Sequence, residues 1–219
     1  MINMKTVIFA SAMLLFSSIA FAQIPTEFFA GHKKATLDIM FFRNFKNKEG
    51  QISKFLFFNR NRASMDYTMT TNSGLPQFGF TEAISFNDKK FKGFAPVAVV
   101  QIFNKGIYPK AGIQYAQTRQ NITIFTWVVS EIMKNPHLDF FLLGRYTPKL
   151  IGNINLFTQI ELVNVFPTVS ENNFSFIQRF RLGLKISAFQ FGTGMDLIQS
   201  GRNNFTKTNN IGGFLRYEF

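Results

Sequence analysis

Residues 173–186, "NFSFIQRFRLGLKI", put Phe174, Phe176, Phe180, Leu182, Leu184 and Ile186 on one parity and Ser175, Arg179, Arg181, Gly183 and Lys185 on the other. A period of two sustained over such a run predicts a β-strand with one apolar and one polar face. The alternation recurs in "HLDFFLLGRY" from His137, "NINLFTQIELV" from Asn153, "AFQFGTGMDLIQ" from Ala188 and the closing "IGGFLRYEF" from Ile211 to Phe219. Earlier segments are less regular. "ATLDIMFF", "KFLFFNRNRASMDY", "PQFGFTEAISF", "GFAPVAVVQIF", "KAGIQYAQT" and "ITIFTWVVSEI" read as strands from their β-branched and aromatic content. Two residues resist the register: Glu82 shares the parity of Phe78, Phe80, Ile84 and Phe86, and Pro96 lies inside a strand with no N–H to give a ladder.

Between these runs come "NKEG", "NDKK", "NKGIYP", "TRQN", "KNPH", "TPKLIG", "PTVSENN" and "GRNNFTKTN", whose Pro, Gly, Asn and Lys suit turns. Pro25, Pro109, Pro136, Pro148 and Pro167 all fall before the first of these strands or in the breaks. No linker or composition shift divides the chain, so one domain is expected. Residues 1–22, "MINMKTVIFASAMLLFSSIAFA", have a cationic start, an apolar stretch and an Ala-Phe-Ala end, the layout of a cleaved signal peptide. The domain then spans residues 23–219.

Strands this long, oily on one face and polar on the other, fit two architectures. A soluble sandwich buries the oily faces against each other and uses strands of about 5 to 6 residues. A membrane barrel turns them to lipid. Beyond the leader no apolar run approaches the ~18 residues of a membrane helix. The expected fold is therefore all-β, a closed antiparallel transmembrane β-barrel. Eleven strands can be counted from Ala35, but single-chain barrels favour even numbers. With the C-terminus at the periplasmic end, "ISA" becomes a tight inner turn and "PTVSENN" and "GRNNFTKTN" become external loops. The Ala35 strand then needs a partner before it, which "IPTEFFAG", Ile24 to Gly31, supplies through the turn "HKK". Twelve strands are expected, with ten as the alternative if the segments near Pro96 or Gly112 merge.

Composition changes the picture in two ways. The 219 residues contain 30 phenylalanines and no cysteine, so disulfides and thiolate metal sites are excluded. Lys and Arg number 24 against 12 acidic residues. In an exported chain this balance suits anionic lipid heads or solutes rather than nucleic acid. The leader, the alternating strands and the terminal "GGFLRYEF" together resemble a Gram-negative outer-membrane β-barrel protein, with no specific functional family indicated. The resemblance implies a place in the cell outer membrane among lipids that include lipopolysaccharide. It also implies recognition of the last strand and Phe219 by the barrel-assembly machinery, and a monomer.

On the inward parity fall Asp38, Arg60, Arg62, Asp66, Asp139, Arg145, Glu161, Arg179, Arg181, Lys185, Asp196, Arg216 and Glu218. One reading is a channel for small solutes with weak anion preference, since arginine offers a planar fork to carboxylate or phosphate. Another is a plugged structural or adhesive barrel whose ladder of ion pairs fills the lumen. A third is a lipid-acting hydrolase using His137, one of only two histidines, with Asp139 and Ser130. No phosphate loop, zinc helix or calcium loop is present, so no cofactor or metal is expected. Trp127, Tyr146 and Tyr217 are candidates for the aromatic girdles at the membrane interfaces.

Overall fold

In a computed structural model, the described residues are 24–46, 48–68, 77–104, 106–133 and 135–219; the expected leader lies outside them. The chain forms β1 (Pro25–Gly31), β2 (Lys34–Lys46), β3 (Ile52–Asp66), β4 (Gln77–Phe86), β5 (Phe94–Phe103), β6 (Gly106–Thr118), β7 (Ile122–Glu131), β8 (His137–Tyr146), β9 (Lys149–Ile151), β10 (Ile154–Pro167), β11 (Phe174–Ile186), β12 (Phe189–Gly201) and β13 (Phe205–Glu218). Each strand pairs antiparallel with its neighbour, and β13 returns to β1 from Pro25↔Glu218 to Gly31↔Gly212. Closure removes both sheet edges, so every long strand has a partner on each side. The short β9 pairs only with the start of β10, while β8 pairs directly with β10, leaving a ring of twelve strands.

The outer face is apolar. Phe28, Phe94, Ile113, Leu182, Ile211 and Leu215 are among many large hydrophobes exposed to half their surface or more. A continuous apolar belt of this kind is stable in lipid, not in water. Glu82 does face outward, in register with Asn59 of β3. Asn61 donates to Asn59, and Asn59 donates to Glu82, so the carboxylate is covered by an amide relay. It is the one outward carboxylate among the described strand residues.

Besides Pro25 at the start of β1, three prolines enter strands, which corrects the expectation that Pro109 and Pro167 lie in breaks. The last β4–β5 pair is Ser85↔Val97, one residue short of Pro96. The last β6–β7 pair is Lys110↔Glu131, one residue short of Pro109. The β10–β11 ladder ends at Val165↔Ser175, before Pro167. Each proline thus stands past the end of pairing on one side, where the missing N–H costs no ladder bond. The "GRNNFTKTN" segment is likewise mostly strand, because β13 pairs with β12 as far out as Gly201↔Phe205. Its polar residues carry no apolar signature, yet the backbone ladder forms regardless of side-chain chemistry.

Candidate functional site

Cross-strand register determines what fills the lumen. Glu161 faces Arg179, Gln159 faces Arg181, Arg179 faces Asp196, and Asp38 faces Arg62. The side chains of these neighbours combine into one ionic layer. Asp38 accepts from Arg60 Nη2 at 2.5 Å and Arg62 Nη1 at 2.9 Å. Asp196 accepts from Arg181 Nη1 at 2.8 Å and Arg62 Nη2 at 3.1 Å. Glu161 is shared by Arg60 and Arg179. Glu27 of β1 takes Arg181 Nε at 2.9 Å. The carboxylates are almost wholly buried, Glu161 at 1% exposure and Asp196 at 2%. Sharing each carboxylate between guanidinium forks is what makes such burial tolerable, since an unpaired charge here would be severely penalised. Gly194 makes room for the layer, because a Cβ there would meet Arg181 Cδ at 2.7 Å.

Toward the end carrying the termini, the lumen changes character. Arg145 Nη2 and Arg216 Nη1 both donate to the neutral Gln159 Oε1, at 2.9 and 3.2 Å. Both guanidinium groups also lie 5.8 Å from the centre of the Phe157 ring. Phe157 packs on Phe214, and Arg181 stacks 4.1 Å over Phe29. Lys185 reaches Glu218 at 2.6 Å.

Elsewhere the lumen is largely aromatic and aliphatic, with buried polar side chains such as Thr81, Gln101 and Gln114 among them. Phe42, Phe58, Phe125, Trp127 and Phe141 form a continuous aromatic cluster inside the barrel, with Phe58 stacked on Phe125 at 5.3 Å and Trp127 edge-on to Phe58 at 5.0 Å. Met40, Val97, Val99, Val129 and Leu143 complete it. Trp127 is 3% exposed and faces inward, so its expected place in a membrane girdle is corrected. Strand β7 is apolar on both faces, with Ile122, Ile124 and Val128 outward, so alternation could not choose a side. Tyr146 and Phe219 are exposed on the outside, and Tyr217 packs between Phe189 and Phe219.

Of the expected lumen residues, Arg60, Arg62, Glu161, Arg179, Arg181 and Asp196 meet in the ionic layer, whereas Arg145, Lys185 and Arg216 lie below it. Glu27, Lys34 and Lys110 also point inward. The alternation does not mark Glu27, because the inward positions of β1 include Phe29, which masks the polar parity. Lys110 was hidden by the break assigned just before it.

Near the opposite rim, Lys110 binds Asp139 and lies 3.5 Å from Glu131. His137 Nδ1 is 3.0 Å from Glu131 Oε2, and its Nε2 is 3.3 Å from Asn172 Nδ2. Ser130 pairs with Leu138 and shares the outward parity of Val128. The Ser130–His137–Asp139 arrangement is therefore not formed.

Between the ionic layer and this rim lies a vestibule of about 270 Å³. Arg62, Arg179, Lys34 and Asp196 line it together with Phe58, Trp127, Asp139 and Phe141.

No family model matches the chain, and no curated protein matches it. Among solved structures the chain is similar to a KdgM porin in complex with disordered oligogalacturonate, at 9% identity, covering 90% of this chain and 99% of that one with a TM-score of 0.47. It is also similar to a NanC porin, at 6% identity, covering 90% of this chain and 98% of that one with a TM-score of 0.48.

Proposed function

We propose that this protein is an outer-membrane channel for small solutes with a weak preference for anions, narrowed in this conformation by its own ion pairs. The observation that carries the reading is the vestibule. It leads from the loop-bearing rim to a layer in which the guanidinium groups of Arg60, Arg62, Arg179 and Arg181 converge. Below it, Arg145 and Arg216 both hydrogen-bond to neutral Gln159, and the carboxylate near Arg216, Glu27 at 3.9 Å, is already shared with Arg181, so positive charge remains along the path. A cation-lined constriction favours anions electrostatically. The surrounding lipids, lipopolysaccharide included, meet the apolar belt, and Phe219 with Tyr217 forms the end offered to the assembly machinery.

Single-channel recording of refolded protein in planar bilayers tests this. Conductance steps with a reversal potential favouring anions are expected, and Arg179→Glu with Arg181→Glu should turn the preference toward cations. A barrel that never conducts overturns the channel. That result would favour the second reading, a plugged structural barrel, for which the bridge from Arg60 to Glu161 across the lumen speaks.

A further inference from the structure

The outward face of β10 to β13 changes character toward the rim opposite the termini. Lower down, the cross-strand row Ile160, Phe180, Met195, Ile211 is apolar and lines a groove of about 640 Å³ on the lipid side. The next row up, Leu162, Gln178, Leu197, Asn209, mixes amides with leucines. The row above that, Asn164, Phe176, Gln199, Lys207, holds two amides and a lysine. Elsewhere the apolar belt reaches the rim, as at Ile102, Ile107 and Leu138. An outer face that turns polar over four strands only is built to meet something besides acyl chains there.

This polar band is also cationic and aromatic. Lys33, at the tip of the β1–β2 hairpin, donates from Nζ to Asn209 Oδ1 at 3.1 Å. Asn209 and Lys207 are two residues apart on one face of β13, about 7 Å, so the two ammonium groups can approach a single anion. No acidic residue stands on the outward parity of β10 to β13. Toward the rim, the Phe176 ring lies nearly parallel to those of Phe174 and Phe205, 6.0 and 5.9 Å away. Gly201 stands between Phe174 and Phe205 in the register and adds no side chain. That leaves an open hollow of about 520 Å³ walled by Phe176, Phe205, Gln199, Asn204 and Lys207. The site is accessible from outside: Phe205 is 38% exposed, and Lys33, Asn204 and Lys207 are exposed too.

We infer that this face holds one glycolipid, a phosphorylated and multiply acylated sugar, which is the chemistry of the lipid end of lipopolysaccharide. The inference rests on the outer-membrane reading and gives the expected lipid contact a defined site. The phosphate sits between Lys33 and Lys207. The sugar lies in the hollow, its C–H face against Phe176 and Phe205 and its hydroxyls on Gln199 and Asn204. Acyl chains follow the groove below, along Ile211, Met195 and Phe180. A glycerophospholipid fills the groove but leaves the hollow empty, and a free sugar phosphate does the reverse.

Native mass spectrometry of the refolded full-length barrel, released from detergent micelles doped with one lipid at a time, counts what stays bound. Diphosphorylated lipid A is expected to remain at one copy per barrel. Phosphatidylglycerol, charged but without the sugar, and fully dephosphorylated lipid A, with sugar and chains but no charge, should each be retained about tenfold less. Lys33→Gln with Lys207→Gln should lower lipid A retention by about the same factor, whereas Lys149→Gln, exposed at the other end, should leave it unchanged. Equal retention of either comparison lipid, or unchanged retention in the double variant, overturns the site. The readout is independent of conduction: a barrel that retains lipid A but never conducts sinks only the channel, and one that conducts without retaining lipid A sinks only this inference.

Discussion

Arg60 Nη1 lies 2.8 Å from Glu161 Oε1, although β3 and β10 stand six strands apart in either direction around the ring. The two residues are as far apart on the cylinder as two residues can be. The aromatic contacts repeat this geometry, with Phe42 of β2 4.6 Å from Phe125 of β7. Side chains of β2 and β3 thus meet those of β7, β8 and β10, which requires a flattened section rather than a round one. A twelve-stranded ring has room for a narrow lumen, and here side chains occupy it.

Glu161 is the keystone of that crossing, since it joins Arg60 to Arg179. Glu161→Gln should leave both guanidinium groups short of a countercharge in a buried site. We expect a loss of about 3–5 kcal/mol in stability, measured by urea unfolding of the refolded barrel in lipid vesicles. In bilayers the same variant should show larger conductance and stronger anion selectivity than wild type.

Trp127 sits inside the wall, not on it. Phospholipids brominated along their acyl chains should therefore quench its fluorescence only weakly. Quenching as strong as that of a tryptophan in free contact with the acyl chains would place it on the lipid face and overturn the aromatic wall.

Glu82 is the opposite case, a carboxylate turned to lipid and covered only by Asn59 and Asn61. Glu82→Leu should stabilise the barrel in vesicles by about 1–2 kcal/mol, because acidic residues on the lipid face are costly. Asn59→Leu alone should destabilise it by stripping the carboxylate of its donor. Unfolding titrations of the two variants, read for opposite signs, check the relay.

At the end bearing the termini, Asp88 holds the turn between β4 and β5. Lys54 Nζ donates to it at 2.6 Å and the Lys90 amide at 2.9 Å, and these bonds keep its carboxyl below the usual range. A depressed carboxyl stabilises the turn above its unfolded value of about 4 and loses that effect as pH falls through the folded value. Amide exchange at Lys90 should accordingly be protected at neutral pH and speed up, beyond the intrinsic rate, in acid. Asp88→Asn should abolish the pH dependence.

Much of this was legible in the alternation. Where strands are polar on one face, as in β10 to β12, the period of two gave the strand, its register and the inward Glu161, Arg179, Arg181 and Asp196. Where both faces are apolar, as in β7, it marks the strand but not the side, and Trp127 faces the lumen rather than the membrane interface. Phe42, Phe58 and Phe125 are unreadable as interior residues for the same reason: an apolar parity fits lipid and a packed lumen alike. Ladder ends were also unreadable: a proline reads as a break, although Pro96, Pro109 and Pro167 stand where one neighbour's pairing has already stopped.

The sequence by itself determined an all-β chain, twelve long strands, an apolar exterior and a charged interior, because these follow from residue types at a period of two and from the even strand count closure favours. Only the tertiary structure decided that Arg60 reaches Glu161 and that one wall of the lumen is aromatic. Those contacts depend on how far the closed ring is flattened and which strands it brings face to face. No pattern along a single strand encodes that distance.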